Sequence, residues 1–206
     1  MKLYYKPGAC SMATHILLNE IGDPFELERV DTKRRETETG ANYLDINPRG
    51  YVPAVMLGNG ETLTENAAIL QYIFDERFGN TSEINAFGRA RLQEVLSFLS
   101  SELHKAFSPF FANSILTAEE RADALAKLHR QLSNFEAMIA DGRAFMLGAQ
   151  YTPADAYAFV ILNWATFISV SLDEWPNAKA FYERVKARPA TRKALVREGL
   201  LKGEAA

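Results

Sequence analysis

The residues of this chain best suited to chemistry lie in three places, all in its first third. Cys10 is the single cysteine among 206 residues, and it stands between the breaker Lys6-Pro7-Gly8 and an apolar run that opens at Met12. A strand, a turn and a helix in that order deliver its sulfur to a helix start. There, backbone N–H groups and the positive end of the helix dipole favour a thiolate over a thiol. Three roles stay open for it: nucleophile, neighbour to another molecule's sulfur, or small buried apolar filler. Cys10-Ser11-Met12-Ala13 holds no second cysteine, so any disulfide must form with a partner molecule. Farther on, Tyr51-Val52-Pro53 enters a β-favouring run. Proline is tolerated at the first residue of a strand, and a cis bond before it would turn the Val52 backbone outward to pair with an extended peptide. Thr64-Glu65-Asn66 then sets a carboxylate and an amide at the next helix start, a corner suited to an α-amino acid head group.

Those groups need a scaffold, and the hydrophobic periodicity predicts one. Residues 3–5 form a short strand, Ser11 caps a helix with Ile16, Leu17 and Leu18 on its apolar face, and Gly22-Asp23-Pro24 stops it. Residues 25–30 alternate as a strand, and the charged segment 31–40 (DTKRRETETG) is expected to be a solvated loop or weak helix. Residues 52–57 and 61–64 form a hairpin across Gly58-Asn59-Gly60, and residues 66–78 a helix with Gly79 as its C-cap. The order βαβ, hairpin, α predicts a mixed four-stranded sheet backed by helices, an α/β domain over residues 1–80.

The rest of the chain is helical in its periodicity, and an all-α domain over residues 87–206 is expected. Leu92, Val95, Leu96, Leu99 and Leu103 share one face of a long helix that Pro109 should end. Capping boxes at Thr117–Glu120 and Thr152–Asp155 start two more helices. In the first, Leu125, Leu128, Leu132 and Phe135, with Met138 or Ile139, make the face, and Gly142 ends it. The second, AYAFVILNWATFI, is apolar nearly all round and belongs at the centre of its domain. Two shorter amphipathic helices, near 178–188 and 191–197, close the chain.

Composition narrows the function classes. With 48% hydrophobic residues the chain can bury a sizeable core, and 23 basic against 26 acidic side chains leave a net charge of −3. That balance lacks the positive field that nucleic acid or an anionic membrane surface would call for. The apolar stretch 154–170 carries Asp155 and Asn163 and falls short of the roughly 20 residues that span a bilayer. The opening MKLYYKPG has no signal-peptide layout and one cysteine forms no internal disulfide, so a cytoplasmic setting is expected. No Cys and His cluster suggests a metal site.

The segments YYKPGACS, INPRGYVP, LTENAAILQYI, SELHKAFSP and YTPADAYAF, with the all-helical second half, resemble the cytosolic glutathione transferases along the whole chain. Cys10 with His104-Lys105 makes it most similar to the bacterial beta class. The resemblance implies a thioredoxin-like first domain, a helical bundle that contributes the electrophile site, glutathione as co-substrate, a homodimer and a role in detoxification. It implies that Val52, before a cis Pro53, pairs its backbone with the cysteinyl part of glutathione. It further implies that Glu65 and Asn66 hold the γ-glutamyl end, that Arg35 meets the glycyl carboxylate, and that Ala9 and Lys105 border the same site. Cys10 would lie beside the glutathione sulfur with Ser11 next to it, and His104 would approach from the helical domain. Asn66 stands where serine or glycine is more usual, and Ser97 where an asparagine often reaches across the dimer. Phe107, Phe110, Phe111 and Trp164, around the break at Pro109, are candidates for an apolar electrophile pocket, with core packing as the alternative. Phe98 and Phe107 are spare apolar residues for an interface. His15 is expected to be a satisfied structural histidine, and His129 a surface one.

Two chemistries compete for this site. In conjugation, bound glutathione loses its thiol proton and attacks an electrophile, helped by helix-start N–H groups, Ser11 and His104. In exchange, Cys10 attacks a disulfide and a second glutathione releases it. Two neighbouring thiolates repel, so the modes are not expected to run together. A non-catalytic binding protein on the same fold is an alternative, as is a glutathione-dependent isomerase of the zeta type. That class usually shows a Ser-Ser-Cys turn where this chain has Ala9-Cys10-Ser11.

Overall fold

The computed structural model describes residues 1–78, 85–112 and 115–202. Two compact units divide them, one within Met1–Ile84 and Ala187–Ala206 and the other within Asn85–Lys186. Among the described residues no helix is long and apolar enough to cross a membrane.

The first unit is built on a mixed sheet of five strands in the order β3-β2-β1-β4-β5. Its strands are β1 (Lys2–Tyr5), β2 (Glu26–Asp31), β3 (Glu36–Thr37), β4 (Ala54–Met56) and β5 (Thr62–Thr64). The central β1 runs parallel to β2, the pairing that requires a crossover, and antiparallel to β4, with Leu3 opposite both Leu27 and Val55. The crossover is α1 (Ser11–Ile21), closed by Gly22 at φ 84, whose N–H bonds the Leu18 carbonyl. After β5 comes α2 (Asn66–Phe78), over the range that the periodicity predicts; the Gly79 cap lies outside the described residues.

Three expectations change here. The sheet has a fifth strand because the charged segment is not a loose loop: β3 pairs with β2, and Thr37 is buried. The buried Glu28 carboxylate explains why. It accepts from Lys2 Nζ at 3.0 Å and from the Thr39 hydroxyl, and so fixes a polar segment that apolar pattern alone cannot place. The N-cap of α1 is Cys10 rather than Ser11, whose hydroxyl turns back to accept from the Lys6 N–H (3.2 Å) and donate to the Lys6 carbonyl (3.3 Å). The closing helix α8 (Pro189–Arg197) packs with the first unit rather than ending the helical one. It buries Ala190, Thr191, Ala194 and Leu195, and the preceding Arg188 forks onto Glu20 of α1 at 2.6 and 2.9 Å.

In the second unit, α3 (Ala86–Phe98), a wide π turn (Leu99–Leu103) and α4 (His104–Phe111) follow one another without a break. Leu92, Val95, Leu96, Leu99 and Leu103 are all buried, as the spacing predicts. Pro109 does not end this helix but sits inside α4, where it withholds one N–H from the helix ladder, and the chain becomes extended at Ala112. Phe107 is fully buried, with its ring against Trp164, and so is not available to an interface. Three further helices follow: α5 (Ala118–Met138), α6 (Pro153–Phe167) and α7 (Pro176–Lys186). His129, expected at the surface, is half-buried with its ring 5.1 Å from that of Trp175.

Every residue of α6 from Pro153 to Ala165 is buried, so its start must satisfy its polar groups internally. Asp155 does this. Its carboxylate accepts from the Met146 N–H (2.7 Å), the Thr152 N–H (2.7 Å) and the Thr152 hydroxyl (2.8 Å). Burial pushes its pKa up to about 6, against the pull of those three donors. Asp155→Ala would strand two N–H groups and is expected to cost about 3 kcal/mol of stability, a fall of about 6–12 °C in Tm. Activity per folded molecule should be retained; thermal denaturation beside an activity assay checks both.

Candidate active site

The turn that carries Cys10 is tied down on all sides within the first unit. Gly8 takes φ 72, a conformation that favours glycine, and the Ala9 N–H returns to the Lys6 carbonyl at 3.0 Å. The Gly8 N–H donates to Glu198 Oε2 at 2.8 Å, and the other oxygen of that carboxylate meets His15 Nδ1 at 2.9 Å. Neither side chain of this pair is more than 2% exposed. His15 is thus the satisfied structural histidine that its apolar helix face suggests. Glu198 escapes sequence reasoning, because a lone acidic residue 190 positions away carries no local signal.

Cys10 is half-buried at the start of α1, and its Sγ lies 3.4 Å from the Val52 carbonyl oxygen. That contact joins two of the three places singled out in the sequence. The Val52–Pro53 bond is cis, and Pro53 is buried. The segment leading to it is pinned from behind, where the Tyr51 carbonyl accepts from the Tyr43 hydroxyl (2.8 Å) and from Asn47 Nδ2 (2.7 Å). Val52 itself packs with Ile46 and Met56 on a core of Tyr4, Val30, Tyr43 and Ala54.

The third place is the start of α2. Glu65 holds φ 69, a left-handed conformation that costs a non-glycine residue about 1–3 kcal/mol and collects at functional sites. Its exposed carboxylate meets Arg49 at 2.7 Å. The next residue, Asn66, is buried, and its Oδ1 accepts from the Thr14 hydroxyl of α1 at 3.0 Å. Among the described residues its Nδ2 has no partner. A buried amide with two unmet donors at a helix N-terminus fits an anionic acceptor such as a carboxylate. Arg35 is exposed, at φ 58, and its carbonyl accepts from the Tyr43 N–H at 2.8 Å.

In the second unit, His104 and the aromatic candidates converge on Trp164. The rings of His104, Phe107 and Phe111 each make a T-shaped contact with that of Trp164, with centroids 4.6, 5.8 and 5.6 Å away. Trp164 and Phe107 are buried, Phe111 is half exposed, and Phe110 lies under the Arg121 guanidinium at 5.6 Å. Lys105 is exposed. His104 Nδ1 is 2.7 Å from the hydroxyl of Tyr157, a partner that no spacing in the sequence announces. Burial, with Lys105 second, pushes the His104 pKa down to about 4, so the ring is neutral at pH 7.

Comparison with known proteins agrees with this architecture. Residues 8–77 match the family model "Glutathione S-transferase, N-terminal domain", and residues 98–189 match "Glutathione S-transferase, C-terminal domain". Glutathione S-transferase GstA of Escherichia coli O157:H7 is 38% identical over 203 residues, covering 97% of this chain and 100% of that protein. A sphingomonad glutathione S-transferase solved in complex with glutathione has a TM-score of 0.90 at 41% identity, covering 98% of this chain and 100% of that one. A beta class glutathione S-transferase from Sphingomonas chungbukensis has a TM-score of 0.89 at 40% identity, with the same coverage, 98% and 100%. The chain belongs to the glutathione S-transferase family, with a thioredoxin-like first domain and a helical second one.

The depressed pKa of His104 makes stability depend on pH. The unfolded chain binds a proton there below about 6.5 and the folded protein only below about 4, so stability is lost as pH falls across that window, by up to about 3 kcal/mol. Asp155 has the opposite slope in part of the same range. The difference between the wild type and His104→Gln therefore isolates the histidine. Urea unfolding between pH 7 and pH 4 should show a shallower acid-side loss in the variant.

Proposed function

We propose that this chain binds glutathione in the corner made by Val52, Glu65 and Asn66 and works with two sulfurs, that of the bound molecule and that of Cys10. The chain is a glutathione S-transferase, an enzyme with glutathione as its co-substrate. The observation that carries the assignment of the corner is the unpartnered, buried Nδ2 of Asn66 beside the strained Glu65. In this reading Asn66 donates to the γ-glutamyl carboxylate and Glu65 accepts from the ammonium. The Val52 backbone pairs with the cysteinyl part, Arg35 meets the glycyl carboxylate, and Ala9 borders the same molecule. Thr14 and Asn66 are locked together, which orients the amide before anything binds and lowers the ordering cost of binding.

Conjugation uses the glutathione thiolate, which attacks the electrophilic carbon and expels its leaving group, with His104 assisting the sulfur anion. Phe110 and Phe111 offer apolar surface for the electrophile. Exchange uses Cys10. Its thiolate attacks the glutathione sulfur of a mixed disulfide, the substrate leaves as a thiolate, and a Cys10–glutathione disulfide forms. A second glutathione thiolate then attacks that bond, releasing oxidised glutathione and regenerating the Cys10 thiolate. Ser11 is fully buried and bonded to the Lys6 backbone, which supports a role in holding the Cys10 turn. A homodimer in the cytoplasm completes the reading, with the resemblance to the family as its support.

Cys10→Ala is expected to lower glutathione-dependent reduction of a mixed disulfide at least about 100-fold while leaving conjugation within a few-fold; unchanged disulfide reduction would sink the exchange role. Asn66→Ala should raise the KM for glutathione about tenfold, the worth of one hydrogen bond to a charged group, with kcat little changed. An unaltered KM would remove Asn66 from the corner. Retention on immobilised glutathione with no turnover of any electrophile or mixed disulfide would return the non-catalytic reading.

A further inference from the structure

The π turn at Leu99–Leu103 falls immediately before His104, in a helix that otherwise runs as α from Ala86 to Phe111. One extra residue in a turn rotates everything after it by about 100° relative to a regular helix, and such turns gather at functional sites. Here the Ser100 and Ser101 hydroxyls both donate to the Ser97 carbonyl, at 3.1 and 2.8 Å, and the His104 N–H reaches back to the Leu99 carbonyl. The turn so braced sets the direction in which the imidazole leaves the helix. Its ring makes a T-shaped contact with that of Trp164, and its Nδ1 meets the Tyr157 hydroxyl at 2.7 Å.

A neutral imidazole carries one N–H and one bare nitrogen, and the partner of one nitrogen decides which is which. A separation of 2.7 Å suits an O–H donor and is at the short end for an N–H donor. The bare imidazole nitrogen is also a stronger base than a phenol oxygen, so the favoured arrangement has the tyrosine donating. Tyr157 lies in the fully buried run of α6, where its hydroxyl is held by packing.

We propose that Tyr157 is a positioning residue whose hydroxyl donates to Nδ1 of His104 and places the imidazole proton on Nε2. His104 then serves the transfer reaction as a neutral hydrogen-bond donor to a sulfur anion, and not as the base that removes a thiol proton. This rests on the assignment of His104 to the reaction made above. It deepens that assignment by naming the atom and the protonation state that act.

The tautomer is measured directly, without turnover. In protein labelled with 15N-histidine at pH 7, the His104 signals should report a protonated Nε2 and a bare Nδ1, and Tyr157→Phe should move them toward a mixture with the circular dichroism unchanged. A protonated Nδ1 in the wild type, or signals that Tyr157→Phe leaves in place, would overturn the proposal. The donor role is read from variants. A glutamine side chain can put an N–H near the position of Nε2 but cannot act as a base. His104→Gln should therefore keep conjugation within about tenfold of wild type, and His104→Ala should lose about 100-fold. A His104→Gln enzyme as slow as His104→Ala overturns the donor role. A His104→Ala enzyme as fast as wild type removes His104 from the reaction, and the tautomer measurement then judges the tyrosine on its own.

Discussion

A carboxylate with no exposed surface, that of Glu198, holds the turn that carries Cys10. One oxygen takes the Gly8 N–H and the other takes His15. A backbone donor in a left-handed turn is thereby fixed from the far end of the chain. Taking a carboxylate out of water costs several kcal/mol unless its lone pairs are met. The same penalty that makes such a group expensive makes its geometry narrow, because any shift of the turn would leave the charge or the N–H without its partner. Ser11 closes the turn from the other side by bonding both backbone groups of Lys6. Cys10, at the helix start, is therefore delivered to one place, 3.4 Å from the Val52 carbonyl.

The opposite wall of the site is built by the same logic with neutral groups. Tyr43 and Asn47 both donate to the Tyr51 carbonyl, so the segment that reaches Val52 is held by side chains from its own loop. The apolar cluster beneath it supplies the packing, and the strained Glu65 with the locked Thr14–Asn66 pair completes the corner. Strain, an unmet amide and a half-buried thiol lie within one small α/β unit.

In the helical unit the corresponding constraint is burial of α6. A helix apolar on every side has no solvent to accept its polar groups, so Asp155 must satisfy its start, and the Tyr157 hydroxyl inside it must find a partner. It finds His104. The neutral histidine and the buried tyrosine thus follow from one physical cause, the low polarity around the central helix, which also depresses the histidine pKa to about 4.

Much of this was legible in the sequence. Period-two and period-3.6 patterns located β1, α1, the hairpin and α2, and the two capping boxes located α5 and α6, because these signals are local and the backbone obeys them locally. The segments around Cys10, Val52 and Glu65 stood out locally for the same reason, and the roles proposed for them come from their resemblance to a family. What the sequence could not show depends on partners far apart in the chain. The strand inside DTKRRETETG exists because the buried Glu28 carboxylate needs donors, and the return of α8 to the first unit depends on its small buried face and on α1 offering Glu20 to Arg188. The α3–α4 helix continues through Pro109 to Phe111, although proline locally signals a stop. Glu198 against Gly8 and Tyr157 against His104 belong to the same group. By itself, the sequence determined which segments are helix or strand and which residues carry reactive atoms. Only the tertiary structure decided which buried polar group satisfies which, because that pairing is set by the cost of leaving a donor or acceptor without water, a cost that exists only once the chain has closed around it.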